Sequence, residues 1–337
     1  MDSIKIEISK AWLECQPSDI VIRLGGMVTN GGGHEARKGI TLQEMLRNQA
    51  ATLRREGRVR TAQTYESTLS SFMKYYPQAI TPEELNAEII KGYERWMQEK
   101  GLSRNTCSFY MRRLRAVYRL AAPQGMSESQ SLFEQVFTGM ERTKKRALPA
   151  DALKMLLNTR CSNRHTAFAL DMFRFSLFTR GMSFVDMCYL RRSDIRNGVL
   201  TYQRKKTGQL IRIRWEPQLE EIVNRYAREC DGYLLPLVRK SLGNEYQQYK
   251  RSQHTQNNRL KAIGKKLKLP DPLTMYVARH SWASTAKRMN VPIQVISDSM
   301  GHTSERTTQI YLAQIDADII DETNASIINF LESKHKK

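Results

Sequence analysis

Between Leu273 and Asp316 the chain reads LTMYVARHSWASTAKRMNVPIQVISDSMGHTSERTTQIYLAQID. It carries Arg279 beside His280, Gly301 beside His302, and Tyr311 in a polar setting. Arginine forks grip non-bridging phosphate oxygens in pairs and stabilise charge that builds there. A tyrosine hydroxyl can attack phosphorus and keep the bond energy as a phosphoester. A lysine such as Lys206, on a predicted hairpin turn, can protonate a departing sugar oxygen. The chemistry that fits is phosphoryl transfer without a metal. Taken singly, each residue reads as well as a solvated charge or a packed aromatic, Tyr311 above all.

The rest of the chain must position this segment. Its 337 residues suffice for two domains with cores of their own. It holds 54 Lys and Arg against 34 Asp and Glu, a net charge of +20. A chain so far from neutrality repels itself, which points to a polyanionic partner: nucleic acid first, a membrane surface second. No apolar run is long enough to span a bilayer, and MDSIKIEISK lacks the apolar stretch of a signal peptide. A cytoplasmic, nucleoid-associated protein is expected. The five cysteines are scattered, with no CxxC pair, as in a reduced protein without a zinc site. The absence of GxGxxG and GxxxxGK[ST] loops argues against NAD and ATP, so no cofactor is expected.

Residues 1–40 read as a small appendage, two short strands (IKIEI, DIVIRL) or a flexible lead. From Thr41 the pattern is helical, opened by a capping box at Thr41 and Glu44. A second helix fits Thr61 to Tyr75. A third is expected to begin near Pro82 and stop at Gly101. A fourth runs from Ser103, with Tyr110, Leu114, Val117, Tyr118 and Ala121 as its apolar stripe. No acid occurs from Gly101 to Met126, whereas Arg104, Arg112, Arg115 and Arg119 do, a basic ridge suited to phosphates. This all-helical unit spans 41–139, and the charged stretch at 140–149 is expected to be a linker.

A second unit is expected over 150–325, with a tail at 326–337. Its helices include RHTAFALDMFRFSLFTRG, ending at Gly181, and a short MSFVDMCYLRRSDI helix with a basic exit. NGVLTYQRKKTGQLIRIRW alternates on either side of KKTGQ and predicts a β-hairpin with Thr207-Gly208 at the turn. From Lys250 to Lys268 there are seven basic residues and no acid, a second surface for DNA. Arg259 and Lys261 belong to it, and Lys205 flanks the hairpin turn. DADIIDETNASIINFLESKHKK reads as an amphipathic final helix with a basic tail.

The order RH…GH…TTxxY, behind a KTG hairpin and an arginine-bearing helix end, resembles the tyrosine recombinase, or phage integrase, family of bacterial mobile elements. ARHSWASTAKRMNVPIQVISDSMGHTSERTTQIYL carries the specific part of the likeness, and residues 41–139 resemble the family's SAM-like core-binding domain more weakly. The resemblance implies a mainly α fold with a small β-sheet, a SAM-like domain followed by a recombinase catalytic domain. It implies site-specific cleavage and rejoining of double-stranded DNA through a 3′-phosphotyrosyl link, for integration, excision or inversion. A homotetramer on paired sites is implied, monomeric or weakly associated off DNA, with accessory DNA-bending proteins as further partners.

By this resemblance Arg279 is the second catalytic arginine, His302 a phosphate-binding residue, Tyr311 the nucleophile and Lys206 the acid for the 5′ oxygen. Two positions depart from the pattern. The first arginine's place is held by Ser183. The nearest arginine is Arg180, about 4.5 Å back along a helix, with Arg191 or Arg192 as alternatives. Tyr276 stands where the family has the histidine of HxxR, and is expected to position phosphate. Asp186 is expected to orient its neighbours, and His280 to pack within its helix. Two other readings stay open: a DNA-binding protein that has lost catalysis, and a nicking-closing enzyme of the type IB topoisomerase kind.

Overall fold

The computed structural model describes residues 39–121, 132–141 and 147–304, with Thr308, Gln309, Asn324 and Ile328. The expected N-terminal appendage, most of the 140–149 linker, Tyr311 and nearly all of the final helix and tail lie outside these residues. The chain divides between Glu141 and Arg142 into two compact units. Most described residues are helical, and one small antiparallel sheet of three strands accompanies them.

The first unit contains α1 (Leu42–Arg55), α2 (Val59–Tyr75), α3 (Ala87–Glu99) and α4 (Arg104–Ala121). The capping box forms as expected: Glu44 N–H donates to Thr41 Oγ1 at 3.2 Å, and Thr41 N–H to Glu44 Oε2 at 2.9 Å. The third helix starts later than Pro82 suggests. Asn86 Oδ1 accepts the Ile89 N–H at 3.0 Å and sets the start at Ala87. Glu84 instead closes a separate turn by accepting the Thr81 N–H. Leu42, Leu46, Phe72, Ile90, Tyr93, Met97, Met111 and Leu114 form the core.

In the second unit the order is α5 (Ala150–Asn158), α6 (Arg164–Phe178), α7 (Phe184–Cys188), β1 (Ile195–Arg196), β2 (Val199–Gln203), β3 (Leu210–Arg214), α8 (Pro217–Tyr226), α9 (Glu245–Lys266), α10 (Met275–Arg288) and α11 (Ile293–Met300). Helix α6 packs against α8, α9 and α10 and is apolar on nearly every side, as a central helix must be. Its one buried acid, Asp171, accepts from Arg174, Arg225 and the Tyr226 hydroxyl, so the charge is paired where water is absent.

The hairpin β2–β3 pairs Leu200 with Ile213 and Tyr202 with Ile211, all facing the core. Strand β1 is an addition to the expected pair. Asn197 and Gly198 both take positive φ, the two-residue turn that the Asn-Gly pair favours. No helix among the described residues is long and apolar enough to cross a membrane.

Candidate active site

Helix α11 stops at Gly301, whose φ of 63° is left-handed. The Gly301 N–H reaches Asp298 O and the His302 N–H reaches Ser297 O, each 3.0 Å, a wrap that satisfies two terminal carbonyls. The carbonyls of residues 300–302 take side-chain donors instead. Met300 O accepts from Arg279 Nη2 at 2.7 Å. Gly301 O accepts from Arg204 Nη1 and, at 3.3 Å, from Thr207 Oγ1. His302 O accepts from Gln209 Nε2 at 3.2 Å. Helix α10 and the hairpin thus hold one short stretch of main chain from two sides. Cations suit this place, because the carbonyl end of a helix is its negative pole.

Arg279 is buried, and its Nη1 donates to Gly181 O at 2.8 Å. Gly181, just past α6, has φ +73°, and a Cβ there would lie 2.7 Å from Arg279 Cα. Only glycine permits both the turn and the approach. Arg279 Nη2 also lies 3.0 Å from His302 Nε2. A guanidinium can only donate, so Nε2 accepts and the ring proton sits on Nδ1, where it reaches Thr308 Oγ1 at 2.8 Å. Burial first, then the charges of Arg279, Arg204 and Lys206, push the His302 pKa down to about 4. The ring is neutral at physiological pH.

The hairpin loop is closed by Arg204 N–H to Gln209 O and Gly208 N–H to Arg204 O, both 2.8 Å. Lys206 stands exposed at its tip. Lys205 is exposed too, its Nζ 4.1 Å from the centre of the Tyr189 ring. The Lys205 N–H donates to Asp186 Oδ1 at 2.8 Å, while Ser183 Oγ donates to Asp186 Oδ2 at 2.6 Å. The residue at the expected arginine position is therefore engaged with a buried carboxylate that also steadies the hairpin. Arg180 is half-buried with φ 60°, directly before Gly181, and forms no salt bridge among the described residues. Arg180, Arg204 and Arg279 all bear electrostatically on the buried Tyr202 hydroxyl. Arg192 is paired with Glu220 at 2.7 Å.

Tyr276 is 57% exposed in the first turn of α10, one turn ahead of Arg279, its ring edge-on to the buried His280 at 4.4 Å. Tyr311 falls outside the described residues.

Among the basic residues expected to face DNA, Arg104 lies over the Phe137 ring at 4.1 Å and Arg119 is exposed. Arg112 bonds back to Ser108 O, and Arg115 to Thr138 Oγ1 at 3.2 Å. Burial and the nearby Arg119 and Arg112 hold the Arg115 pKa below its ordinary value. On α9, Arg259 donates to Gln256 while Lys261 is exposed.

Sequence reasoning passed over Arg204, Gln209 and Thr308. Arg204 had a signal: Leu200, Tyr202 and Arg204 continue one inward parity along β2. The other two become visible only through the turn that brings 301–302 against the loop.

The arrangement offers an anion several guanidinium and ammonium donors beside a neutral imidazole. Comparison with known proteins agrees with that chemistry. Residues 41–135 match the phage integrase SAM-like domain and residues 146–317 the phage integrase family. Tyrosine recombinase XerA of Pyrococcus furiosus is 26% identical over 279 residues, covering 80% of this chain and 88% of that protein. Two solved structures share the fold. The Tn1549 transposon integrase, in complex with a circular intermediate DNA, has a TM-score of 0.59 at 17% identity, covering 81% of this chain and 95% of that one. A lambda integrase tetramer bound to a Holliday junction has 0.58 at 17%, covering 82% and 78%. With more than half its length matched by the catalytic-domain model, this chain belongs to the phage integrase family.

Proposed function

We propose that this protein is a site-specific DNA recombinase that cleaves and rejoins double-stranded DNA through a 3′-phosphotyrosyl intermediate, with four copies on paired sites. The observation that carries the reading is the convergence of Arg279, His302 and the Lys206 hairpin on the stretch 300–302. Tyr311 Oη attacks the scissile phosphorus and releases its phenolic proton to solvent. The P–O5′ bond breaks, and the Lys206 ammonium gives a proton to the departing oxygen. Arg279 holds non-bridging oxygens, and His302 joins it once its ring proton moves to Nε2; Arg180 adds charge from the α6 exit, and Tyr276 positions phosphate from the rim. Attack by the partner strand's 5′-hydroxyl reverses the steps, so energy is conserved without a nucleotide or metal.

The test is a nicked duplex carrying the junction mapped from the repeats that flank the gene. After the nick lets the short 5′ fragment diffuse away, wild type should accumulate a covalent protein–DNA adduct, and Tyr311→Phe should form none. No adduct from wild type on that DNA sinks the reading in favour of a binding protein. Relaxation of a supercoiled plasmid lacking the site would favour a nicking-closing enzyme.

A further inference from the structure

Arg204 is 6% exposed and forms no salt bridge among the described residues, an unusual condition for an ion. Among the described residues its guanidinium has one hydrogen-bond partner, Gly301 O, reached through Nη1. Nε is buried without any acceptor. Gln209 Oε1, a second buried atom without a partner, lies in the same place: a Cβ on Gly301 would stand 3.1 Å from Arg204 Cδ and 3.2 Å from Gln209 Oε1. Holding one helix-end carbonyl explains one N–H of five. It leaves the Nε/Nη2 edge, the side of the group that fits two oxygens of a phosphate or carboxylate at once. Leaving such a donor unsatisfied in a buried site is costly, and it persists where a ligand completes it.

The neighbourhood defines that ligand. Arg279 and Arg204 hold adjacent carbonyls of the stretch that carries His302, Lys206 lies on the same hairpin loop as Arg204, and Asp186, a buried acid bound to that loop, is already taken by Ser183 Oγ and the Lys205 N–H. An anion with two oxygens fits the chemistry of that edge.

We propose that Arg204 binds a non-bridging oxygen of the scissile phosphate through its Nε/Nη2 edge, supplying beside Arg279 the second guanidinium that Ser183 cannot. This rests on the strand-cleaving reading above. In it Arg180 acts from the rim, through charge, while Arg204 makes the contact. Its anchoring to Gly301 O also fixes the distance between that contact and His302.

Adduct formation by the full-length protein is measured on the nicked duplex with either an ordinary scissile phosphate or a methylphosphonate, which lacks one negative oxygen. On phosphate, Arg204→Ala should fall at least about 100-fold, as for loss of a donor to transition-state charge. On methylphosphonate the deficit relative to wild type should shrink at least about tenfold, because the charge that needed Arg204 is gone. Arg204→Lys keeps the positive charge but not the fork, and should melt with wild type while remaining defective on phosphate. An undiminished deficit on methylphosphonate, or rescue confined to Arg180→Ala, overturns the proposal.

A second measurement is independent of cleavage. The Arg204 Nε–H resonance in [15N]arginine-labelled protein, assigned by its loss in Arg204→Lys, should move with inorganic phosphate at constant ionic strength and stay fixed with chloride alone. No shift overturns the proposal. Absence of an adduct from wild type, with the resonance moving, instead refutes strand cleavage and leaves the anion contact standing.

Discussion

His302 shows how a single side chain can carry the electrostatic state of the whole site. An ordinary histidine takes up a proton near pH 6.5, whereas this one resists until about 4 because it is buried among Arg279, Arg204 and Lys206. Between those values the unfolded chain holds a proton that the folded chain lacks. Stability is therefore complete above about pH 6.5 and falls as the pH drops towards 4. At pH 5 the loss from this group should be about 2 kcal/mol relative to pH 8. Urea midpoints measured across that window should show it, and His302→Gln should flatten the slope. An equally steep profile in the variant would assign the acid sensitivity to other groups. A bound phosphate should raise the same pKa, since an anion offsets three cations. At this scale much was legible in advance: Arg279 and His302 come from motif spacing. Arg204 was obscured by its neighbours, because three consecutive basic residues look alike until strand parity separates the inward one from the two at the tip.

Among the elements, the hairpin is the part whose placement decides chemistry. Asp186 ties α7 to it by taking both the Ser183 hydroxyl and the Lys205 N–H. Asp186→Ala would remove the acceptor of the Lys205 N–H, a part-buried hydrogen bond, at a cost of about 0.5–1.5 kcal/mol. It should also loosen Lys206, slowing protonation of the 5′ oxygen. A 5′-bridging phosphorothiolate gives a direct check, since sulfur departs as a thiolate with a pKa of about 8.5 and needs little acid. Cleavage of that substrate by Asp186→Ala and Lys206→Ala should approach wild type, while both remain slow on the oxygen substrate. Equal defects on both substrates would remove Asp186 from the positioning of Lys206. The hairpin was readable from alternation around the Thr207-Gly208 turn, and the first helix from its capping box. The start of α3 was misplaced because Pro82 signals a helix opening as readily as it signals the separate turn that Glu84 closes.

At the scale of the molecule, a net charge of +20 is spread unevenly, and the ridge of α4 is one concentration of it. Arg115 and Arg119 stand near one another and near Arg112, with no acid on the helix, so each raises the cost of the others until an anion arrives. Each phosphate contact contributes about −0.9 to the slope of log affinity against log salt. Replacing Arg115 and Arg119 with alanine should therefore make that slope shallower by about 2, read by fluorescence anisotropy on a duplex over a salt series. An unchanged slope would mean that this ridge faces solvent rather than backbone phosphate. The basic balance was visible in composition alone.

The clasp at 300–302 has a consequence for how freely this protein can be rewritten. Its three acceptors are main-chain carbonyls, which every amino acid supplies alike, whereas its donors are four particular side chains, Arg279, Arg204, Thr207 and Gln209. Tolerance to replacement is thus asymmetric. The exposed face of α11, including Gln294 and Val295, can be redesigned with little bearing on where His302 stands. Gly301 is the exception on the acceptor side, held by its left-handed turn and by Ile211, Arg204 and Gln209 crowding its missing side chain. A library aimed at new behaviour in this recombinase has its room on that outer face, and its fixed points on the hairpin and α10.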